Sequence, residues 1–130
     1  MSTPNDDLVH YRLARAVETL EEARLMFASN YLHGAANRLY YACFYAVCAL
    51  LAHNNMSSGK HSGILSLFNY HFIKTQKIPI SLGKFYSKLF NNRTEGDYGD
   101  MLAEIEISKE DFITAEEFIA VIREQIRINV

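Results

Sequence analysis

The segment Asn37–Tyr45 places polar side chains in an otherwise apolar part of the chain. Arg38, Tyr41 and Tyr45 lie three and four residues apart, so a helix would carry them on one face. A guanidinium group on such a helix needs a partner, because an unpaired buried charge is costly. We expect Asn37, Arg38 and Tyr41 to be structural, with Arg38 in a buried ion pair with an acid such as Asp97. Direct contact of Arg38 with a ligand is the alternative.

The segment 91–100 is the second place where side chains could do chemistry. It combines Arg93, Asp97 and Tyr98 with two glycines and further charges. We predict a loop here, between the fourth helix and the last one, and loops often carry functional residues. An exposed Arg in a loop stays solvated at no cost, so Arg93 by itself is only a mild indication of function.

Charge is distributed unevenly along the chain, although the net charge is −2. Residues 1–22 hold two Arg against five acids, and residues 95–130 hold three bases against ten acids. Between Ala23 and Thr94 there are eight Lys or Arg and no acid. Such a chain could present its basic middle to a phosphate-rich ligand, or it could neutralise that region against its acidic ends, within the fold or across a dimer.

Apolar spacing predicts helices along the whole chain. Thr3 and Pro4 are typical of a helix start, and a first helix to about Ser29–Asn30 would bury one stripe: Val9, Leu13, Ala16, Leu20, Ala23 and Phe27. A second helix, from Tyr31 to about His53, is apolar nearly all round in its second half. We therefore expect that helix at the centre of a bundle or at an interface.

Three further helices follow from the same periodicity. A short third helix carries Ile64, Leu65, Phe68 and Phe72, and a short fourth helix begins near Pro79 and carries Leu82, Phe85, Leu89 and Phe90. The last helix begins with a predicted capping box of Ser108 and Asp111 and a staple of Ile107 and Phe112, followed by one apolar face: Ala115, Ile119, Ile122 and Ile126. The prediction is an all-α, antiparallel up-and-down bundle of four to five helices, forming one domain over residues 1–130.

Composition and cysteine usage bound the class of protein. The N-terminal residues lack the basic and apolar regions of a secretory leader, and Cys43 and Cys48 fit no disulfide framework or C-x-x-C motif. The longest charge-free apolar stretch, Leu39–Ala52, has 14 residues, which is fewer than the roughly 20 needed to span a bilayer. We predict a cytoplasmic protein with reduced thiols and no membrane helix.

No cofactor or metal is predicted. The stretch Ser58–His61 lacks the upstream Gly and the following Ser or Thr of a P-loop. The five His residues have no H-x-x-x-H spacing, and the acids of segment 91–100 do not fit a calcium loop.

Three segments together resemble the HEPN domain family, small helical bundles of prokaryotic toxin–antitoxin and antiviral systems. They are Ala36–Phe44, Lys60–Ile64 and Arg93–Tyr98, and their order and spacing match the single-domain branch of that family. The resemblance implies a homodimer with a basic cleft lined by the Arg93 segment of both copies. It also implies a minimal nucleotidyltransferase as protein partner and, in many members, metal-independent cleavage of RNA.

The nuclease motif of that family is incomplete in this sequence. The motif has four to six residues between the Arg and a His, so the possible His positions here are Tyr98, Gly99 and Asp100. In metal-free RNA cleavage the Arg would neutralise the phosphate while an imidazole moves a proton near neutral pH. Tyr, with a reference pKa of about 10, is a poor base at pH 7 but can stack on a nucleobase.

His61 is the other candidate for the missing imidazole. It could serve only if the fold brings the start of the third helix near Arg93, and we expect instead a His at a helix start that is bonded to backbone or solvent. We assign RNA or nucleotide binding to Arg93, Asp97, Tyr98 and Lys60, and a doubtful catalytic role to Arg93, Tyr98 and His61.

Three hypotheses about function follow. The preferred one is a dimeric HEPN-type protein that binds RNA or nucleotide and works with a nucleotidyltransferase. The second is an active ribonuclease in which Tyr98 or His61 replaces the missing His. The third is a catalytically silent interaction bundle. We also predict a homodimer, because the charge-free helix Leu39–Ala52 and the eight Phe and eight Tyr residues exceed what a five-helix monomer of this size easily buries.

Overall fold

The computed structural model describes residues 3–98 and 106–128, with side chains for 3–92 and 106–127. This part of the chain contains five α-helices, one π-helical segment and no strand. The α-helices are α1 (Pro4–Ala28), α2 (Leu32–His53), α3 (His61–Phe68), α4 (Ile80–Tyr98) and α5 (Lys109–Ile128), and the π segment is Asn69–Ile73. The predicted all-α bundle is confirmed.

Side-chain caps form at the predicted helix starts, and the cap of α1 is reciprocal. The Thr3 hydroxyl accepts a hydrogen bond from the Asp6 N–H at 3.1 Å, and the Asp6 carboxylate accepts one from the Thr3 N–H at 3.2 Å. At the start of α5, the Asp111 carboxylate accepts a hydrogen bond from the Ser108 N–H at 2.9 Å. Each cap satisfies N–H groups that have no partner inside the helix, so these two boundaries are fixed by local sequence.

The first two helices are antiparallel along their whole length. At one end the Asn5 side chain donates a hydrogen bond to the Ala52 carbonyl at 2.8 Å. At the other end Glu22 lies 3.3 Å from Arg38. The predicted stripe of α1 faces α2: Val9, Ala16, Leu20 and Ala23 are buried, and Leu13 and Phe27 are half-buried.

α2 is the central helix and packs against α1, α3, α4 and α5. By length and composition it is the one helix in the described ranges that could cross a membrane, but 67% of its apolar window is buried inside the bundle. Most of Leu39–Ala52 is buried within a single chain, whereas Tyr41, Phe44 and Tyr45 are half-exposed. The uniform apolar character of α2 is therefore explained by its place in the bundle.

Aromatic rings from four helices fill the centre of the core. Tyr40 of α2 stacks in parallel on Tyr86 of α4, with ring centroids 5.9 Å apart. Tyr86 in turn lies 5.6 Å from Phe118 of α5 and 5.5 Å from Phe68 of α3. Packing of this kind orients α4 against α2, because stacked and edge-on rings have preferred geometries.

Two predicted elements differ from the structure. The third helix does not continue as an α-helix to Phe72, because the π segment follows Phe68. α4 is not short: it continues to Tyr98, so residues 91–98 are helical and the predicted loop at these positions is wrong. Asn and Gly each destabilise a helix by about 1 kcal/mol or less relative to Ala. The packing of the preceding turns of α4 outweighs this low helix propensity.

Candidate functional site

Tyr40 lies fully buried in the middle of α2 and connects it to two other helices. Its hydroxyl forms a hydrogen bond of 2.8 Å with Nδ1 of His61, the first residue of α3. Its ring stacks on Tyr86 and lies 6.3 Å from the ring of Phe90, both on α4. The start of α3 and the middle of α4 are thus held against the same turn of α2.

The imidazole of His61 is surrounded by aromatic rings of α2. It stacks on Phe44, with centroids 4.3 Å apart, and meets the edge of Tyr41 at 5.7 Å. Because Nδ1 is bonded to Tyr40, the ring has a fixed orientation, which is what a proton-transferring His requires. The expected bond to backbone or solvent is therefore wrong, since the partner of Nδ1 is a buried tyrosine.

Burial keeps the second tyrosine of this cluster neutral. Tyr86 is inaccessible to solvent, and burial raises its pKa well above the usual value, with the adjacent Tyr40 raising it further. Tyr86 therefore contributes packing and no charge at neutral pH. The other titratable side chain bonded to Tyr40 in the described residues is the imidazole of His61.

Arg38 is paired, but in a different way from the prediction. Its Nε lies 3.3 Å from a Glu22 oxygen, which makes an ion pair. The Nε–H group does not form a hydrogen bond with that oxygen. Both side chains are 42% exposed. The Nη1 atom of Arg38 donates a weak hydrogen bond of 3.4 Å to the Asn37 side chain. The predicted burial of Arg38 is wrong, because this end of α2 lies at the edge of the bundle beside α1. The side chain of Asp97, the partner suggested by sequence, lies outside the described residues.

The half-exposed face of α2 continues beyond Arg38. Tyr41 and Tyr45 lie with ring centroids 6.0 Å apart, as expected for residues on one helical face. The guanidinium of Arg15 lies 5.6 Å from the centre of the Tyr45 ring, a cation–π contact between α1 and α2. Tyr41 therefore contacts both His61 and the aromatic surface of α2.

α4 carries the remaining predicted residues in its last two turns. Positions 86, 90, 93 and 97 are separated by four, three and four residues, so they share one face of the helix. Tyr86 and Phe90 on that face contact Tyr40. Arg93 and Asp97 occupy the same face further along, and position 98 lies about 140° around the axis from position 93.

Lys60 stands beside this cluster. It immediately precedes α3, its side chain is exposed, and its backbone N–H donates a hydrogen bond to the Ser58 hydroxyl at 3.2 Å. Its place next to His61 puts a cation beside the contacts that Tyr40 makes with α3 and α4.

Comparison with known proteins assigns the family. Residues 9–128 match the family described as HEPN domain. The chain belongs to the HEPN domain family. A UPF0332 protein of Thermotoga maritima is 43% identical over 122 residues, which are 93% of this chain and 92% of that protein.

Two relatives of this HEPN protein come from Methanocaldococcus jannaschii, and both are named as candidate toxins. One is 35% identical over 99 residues, covering 76% of this chain and 65% of the relative. The other is 32% identical over 83 residues, covering 64% of this chain and 62% of the relative. The matches thus span somewhat less than two thirds of the length of those two relatives.

Three separate segments of the sequence resemble the HEPN family, and two of them contact each other through Tyr40. Residues 36–44 form the part of α2 that holds Tyr40, and residues 60–64 contain His61, which is bonded to it. The third segment, 93–98, follows directly after Phe90 on α4. Tyr40 therefore contacts both the start of α3 and the turn of α4 that precedes Arg93.

Sequence reasoning missed the residue at the centre of this arrangement. In the sequence Tyr40 and Phe44 belong to an apolar run, whereas Arg38, Tyr41 and Tyr45 mark the polar face of the helix. The i, i+4 spacing of Tyr40 and Phe44 marks a second face of α2, and His61 contacts that face. The partner Tyr86 is 46 positions away along the chain, and no local signal in the sequence pairs it with Tyr40.

Proposed function

We propose that this HEPN protein is the HEPN half of a toxin–antitoxin pair, restrained by a minimal nucleotidyltransferase, and that it binds RNA or nucleotide at a cleft between two copies. Membership of the HEPN family and the names of two relatives support the toxin–antitoxin assignment. Two free buried thiols, Cys43 and Cys48, fit a reducing compartment, so we place the protein in the cytoplasm.

The observation that carries the proposal is the convergence at Tyr40. An imidazole with a fixed ring, His61, lies beside the exposed Lys60 and is bonded to Tyr40. The ring of Tyr40 also contacts Phe90, on the turn of α4 that leads to Arg93. In the proposed complex Arg93 and Lys60 contact phosphate oxygens, and Asp97, on the face of Arg93, orients the guanidinium group. Tyr98 offers a ring that stacks on a base.

A dimer is part of the proposal, because the half-exposed rings of Tyr41, Phe44 and Tyr45 form an apolar surface next to His61. A second copy at that surface would cover the rings. It would also bring two Arg93 segments toward one cleft.

Cleavage of RNA is the second candidate function, and the fixed ring of His61 favours it. In that reaction the 2′-oxygen attacks the neighbouring phosphorus and the bond to the 5′-oxygen breaks. The imidazole accepts the proton from the 2′-hydroxyl, and the departing 5′-oxygen gains a proton from water or an acid. Arg93 would stabilise the negative charge that builds on the phosphate.

Removal of Arg93 tests the proposed function. The probe is a fluorescent 20-nucleotide oligouridine at low salt, with binding measured by anisotropy. Arg93→Ala is expected to weaken binding about ten-fold or more, because a charge-assisted contact with phosphate is lost, and to leave the melting temperature nearly unchanged. Arg127→Ala is the matched control, since Arg127 is 78% exposed and pairs only with the nearby Glu124 among the described side chains.

Equal weakening by Arg93→Ala and Arg127→Ala would show that only overall charge matters. Absence of RNA binding at low salt would contradict the proposed function and favour the catalytically silent interaction bundle.

A further inference from the structure

A groove of about 870 Å³ runs between α1 and α5. The two helices are antiparallel, because Arg24, near the end of α1, lies 3.0 Å from Glu116, near the start of α5. At the opposite end of the groove, Ile126 packs against the cluster that contains Val9. The lining of the groove on α5 extends from position 116 to position 127, which is roughly 16 Å along the helix axis.

The floor of the groove is apolar, and part of it is exposed. Val17 is 39% exposed, and Ala14 and Ala120 beside it are exposed as well. Because these side chains are small, a third helix could approach α1 and α5 closely. The apolar lining residues form one stripe on each helix: Leu13, Ala14, Val17 and Leu20 on α1, and Ile119, Ala120 and Ile126 on α5. Contiguous exposed apolar surface of this kind marks an interaction site.

The lining residues at one end of the groove carry excess negative charge. Glu21 and Glu116 lie 2.7 and 3.0 Å from the same guanidinium group, that of Arg24. Their side chains are 62% and 59% exposed, so a single cation balances two accessible acids. This end of the groove therefore attracts a cation on the molecule that covers it.

The lining residues at the other end carry excess positive charge. Arg127 lies 3.3 Å from Glu124, so those two charges balance each other. Arg123 is exposed and forms no ion pair with a described side chain. This end of the groove therefore attracts an anion.

An apolar floor between two helices, with opposite charges at its ends, fits an amphipathic helix. In this kind of recognition the apolar face of the helix fills the groove. A helix with one basic end and one acidic end complements the charges of Glu116 and Arg123. The helix dipole adds to that match when the basic end is the N-terminus.

A second copy of the chain is the less suitable occupant. The proposed dimer surface of Tyr41, Phe44 and Tyr45 lies beside Arg15 of α1, which contacts the Tyr45 ring. Arg15 and Val17 are two residues apart, so they lie on opposite sides of α1, about 160° around its axis. Self-association through both surfaces would extend the assembly beyond the proposed dimer.

We propose that the groove between α1 and α5 binds an amphipathic helix of a partner protein. The helix has about three turns, with a basic end beside Glu21 and Glu116 and an acidic end beside Arg123. This inference goes beyond the proposed function, because it concerns a surface that neither the dimer nor RNA binding requires. Either one can fail without the other.

A designed peptide tests the groove. The probe is a labelled, cross-linked helical peptide of about twelve residues, with Lys in its first turn, Leu along one face and Glu in its last turn. Its binding to the full chain is measured by fluorescence anisotropy at low ionic strength. Two control peptides keep the Leu face and carry Lys at both ends or Glu at both ends. Each should bind about five-fold more weakly, because one of its ends meets a like charge.

Arg123→Glu tests the match of charges. This substitution makes both ends of the groove negative, so it should weaken binding of the probe about five-fold. The same substitution should strengthen binding of the peptide that carries Lys at both ends. Weaker binding of both peptides would show that Arg123 does not read charge, and it would contradict the proposal.

Val17→Glu tests the apolar floor. It should weaken binding of the probe about ten-fold or more, because a carboxylate in the contact must lose its water. Leu25→Glu is the matched control, since Leu25 is also on α1, is 70% exposed and does not line the groove. That variant should bind the probe as the wild type does. Circular dichroism checks that both variants are folded.

Four results would overturn the inference. They are no binding of the probe at millimolar concentration, equal affinity for the three peptides, unchanged affinity in Val17→Glu, and displacement of the probe by oligouridine. A smaller mass of Val17→Glu than of the wild type by light scattering would make the groove a contact between copies, which also contradicts the proposal. The effect of Arg93→Ala on RNA binding bears only on the proposed function.

Discussion

At the scale of single residues, the burial of Arg38 decides what its guanidinium contributes to stability. The sequence predicts Arg38 in the interior. Removing one member of a buried ion pair lowers the free energy of unfolding by on the order of 3–5 kcal/mol. In the structure Arg38 and Glu22 are both 42% exposed, so water solvates whichever partner is left. The ion pair of Arg38 therefore contributes little to the stability of the fold.

We predict that Arg38→Ala lowers the free energy of unfolding by no more than about 1 kcal/mol, the usual range for an exposed pair. Urea denaturation followed by circular dichroism measures this value. Glu22→Gln is the matched control and should have a similar small effect. A loss of several kcal/mol from Arg38→Ala would show that Arg38 has a second, buried partner.

The identity of the general base is a second question at the residue scale. His61 has the fixed imidazole, and position 98 is the first of the three positions at which the family motif can have its His. Position 98 lies about 140° around α4 from Arg93 in one chain, so an imidazole there would reach the phosphate held by Arg93 most directly across a dimer cleft.

We predict that Tyr98→His increases metal-independent cleavage of single-stranded RNA, because it supplies an imidazole at the position of the family motif. Cleavage of a labelled RNA in the presence of EDTA, resolved on a gel, measures the rate. Tyr98→Phe is the control for loss of the hydroxyl. Strong cleavage by the wild-type protein that survives in Tyr98→Phe and disappears in His61→Ala would instead identify His61 as the base.

At the scale of helices, the boundaries that were predicted correctly depend on neighbouring residues. The cap of α1 needs only Thr3 and Asp6, and the cap of α5 needs only Ser108 and Asp111, so both are visible in the sequence. Buried stripes were also predictable, because a helix repeats its apolar positions every three or four residues.

The helix boundaries that were missed depend on distant contacts. α4 continues through residues 91–98, where Asn91, Asn92 and Gly96 favour a turn by propensity. The π segment has no local sequence signal. Its last residue, Ile73, packs closely against Gly83, which lies ten residues later in the chain. The bond between Tyr40 and His61 likewise joins residues 21 positions apart. The family segments were therefore found from sequence, while their meeting point was not.

At the scale of the whole molecule, the uneven charge is partly neutralised inside the fold. Arg24 of the basic middle lies 3.0 Å from Glu116 of the acidic tail, and Lys88 lies 3.4 Å from Asp111. The lysines at 60, 74, 77 and 84 keep their charge free of ion pairs within the described ranges. Neutralisation inside the fold therefore applies to one part of the basic middle, while these lysines keep their charge.

The surface of the molecule also bears on its oligomeric state. The apolar length of α2 no longer supports a dimer, because most of Leu39–Ala52 is buried within one chain. The surface formed by Tyr41, Phe44 and Tyr45 does support one, since these half-exposed rings are adjacent and contiguous apolar surface marks interaction sites.

We predict a homodimer at micromolar concentration, with a mass by light scattering of twice the chain mass of 14.9 kDa. Tyr45→Glu should shift the protein toward the monomer, because it places a carboxylate among apolar rings at the interface. Tyr31→Glu is the matched control, since Tyr31 is 69% exposed and lies before α2, away from those rings. Circular dichroism checks that both variants are folded. A wild-type mass of 14.9 kDa would contradict the dimer, and a dimer unaffected by Tyr45→Glu would place the interface on another face of the bundle.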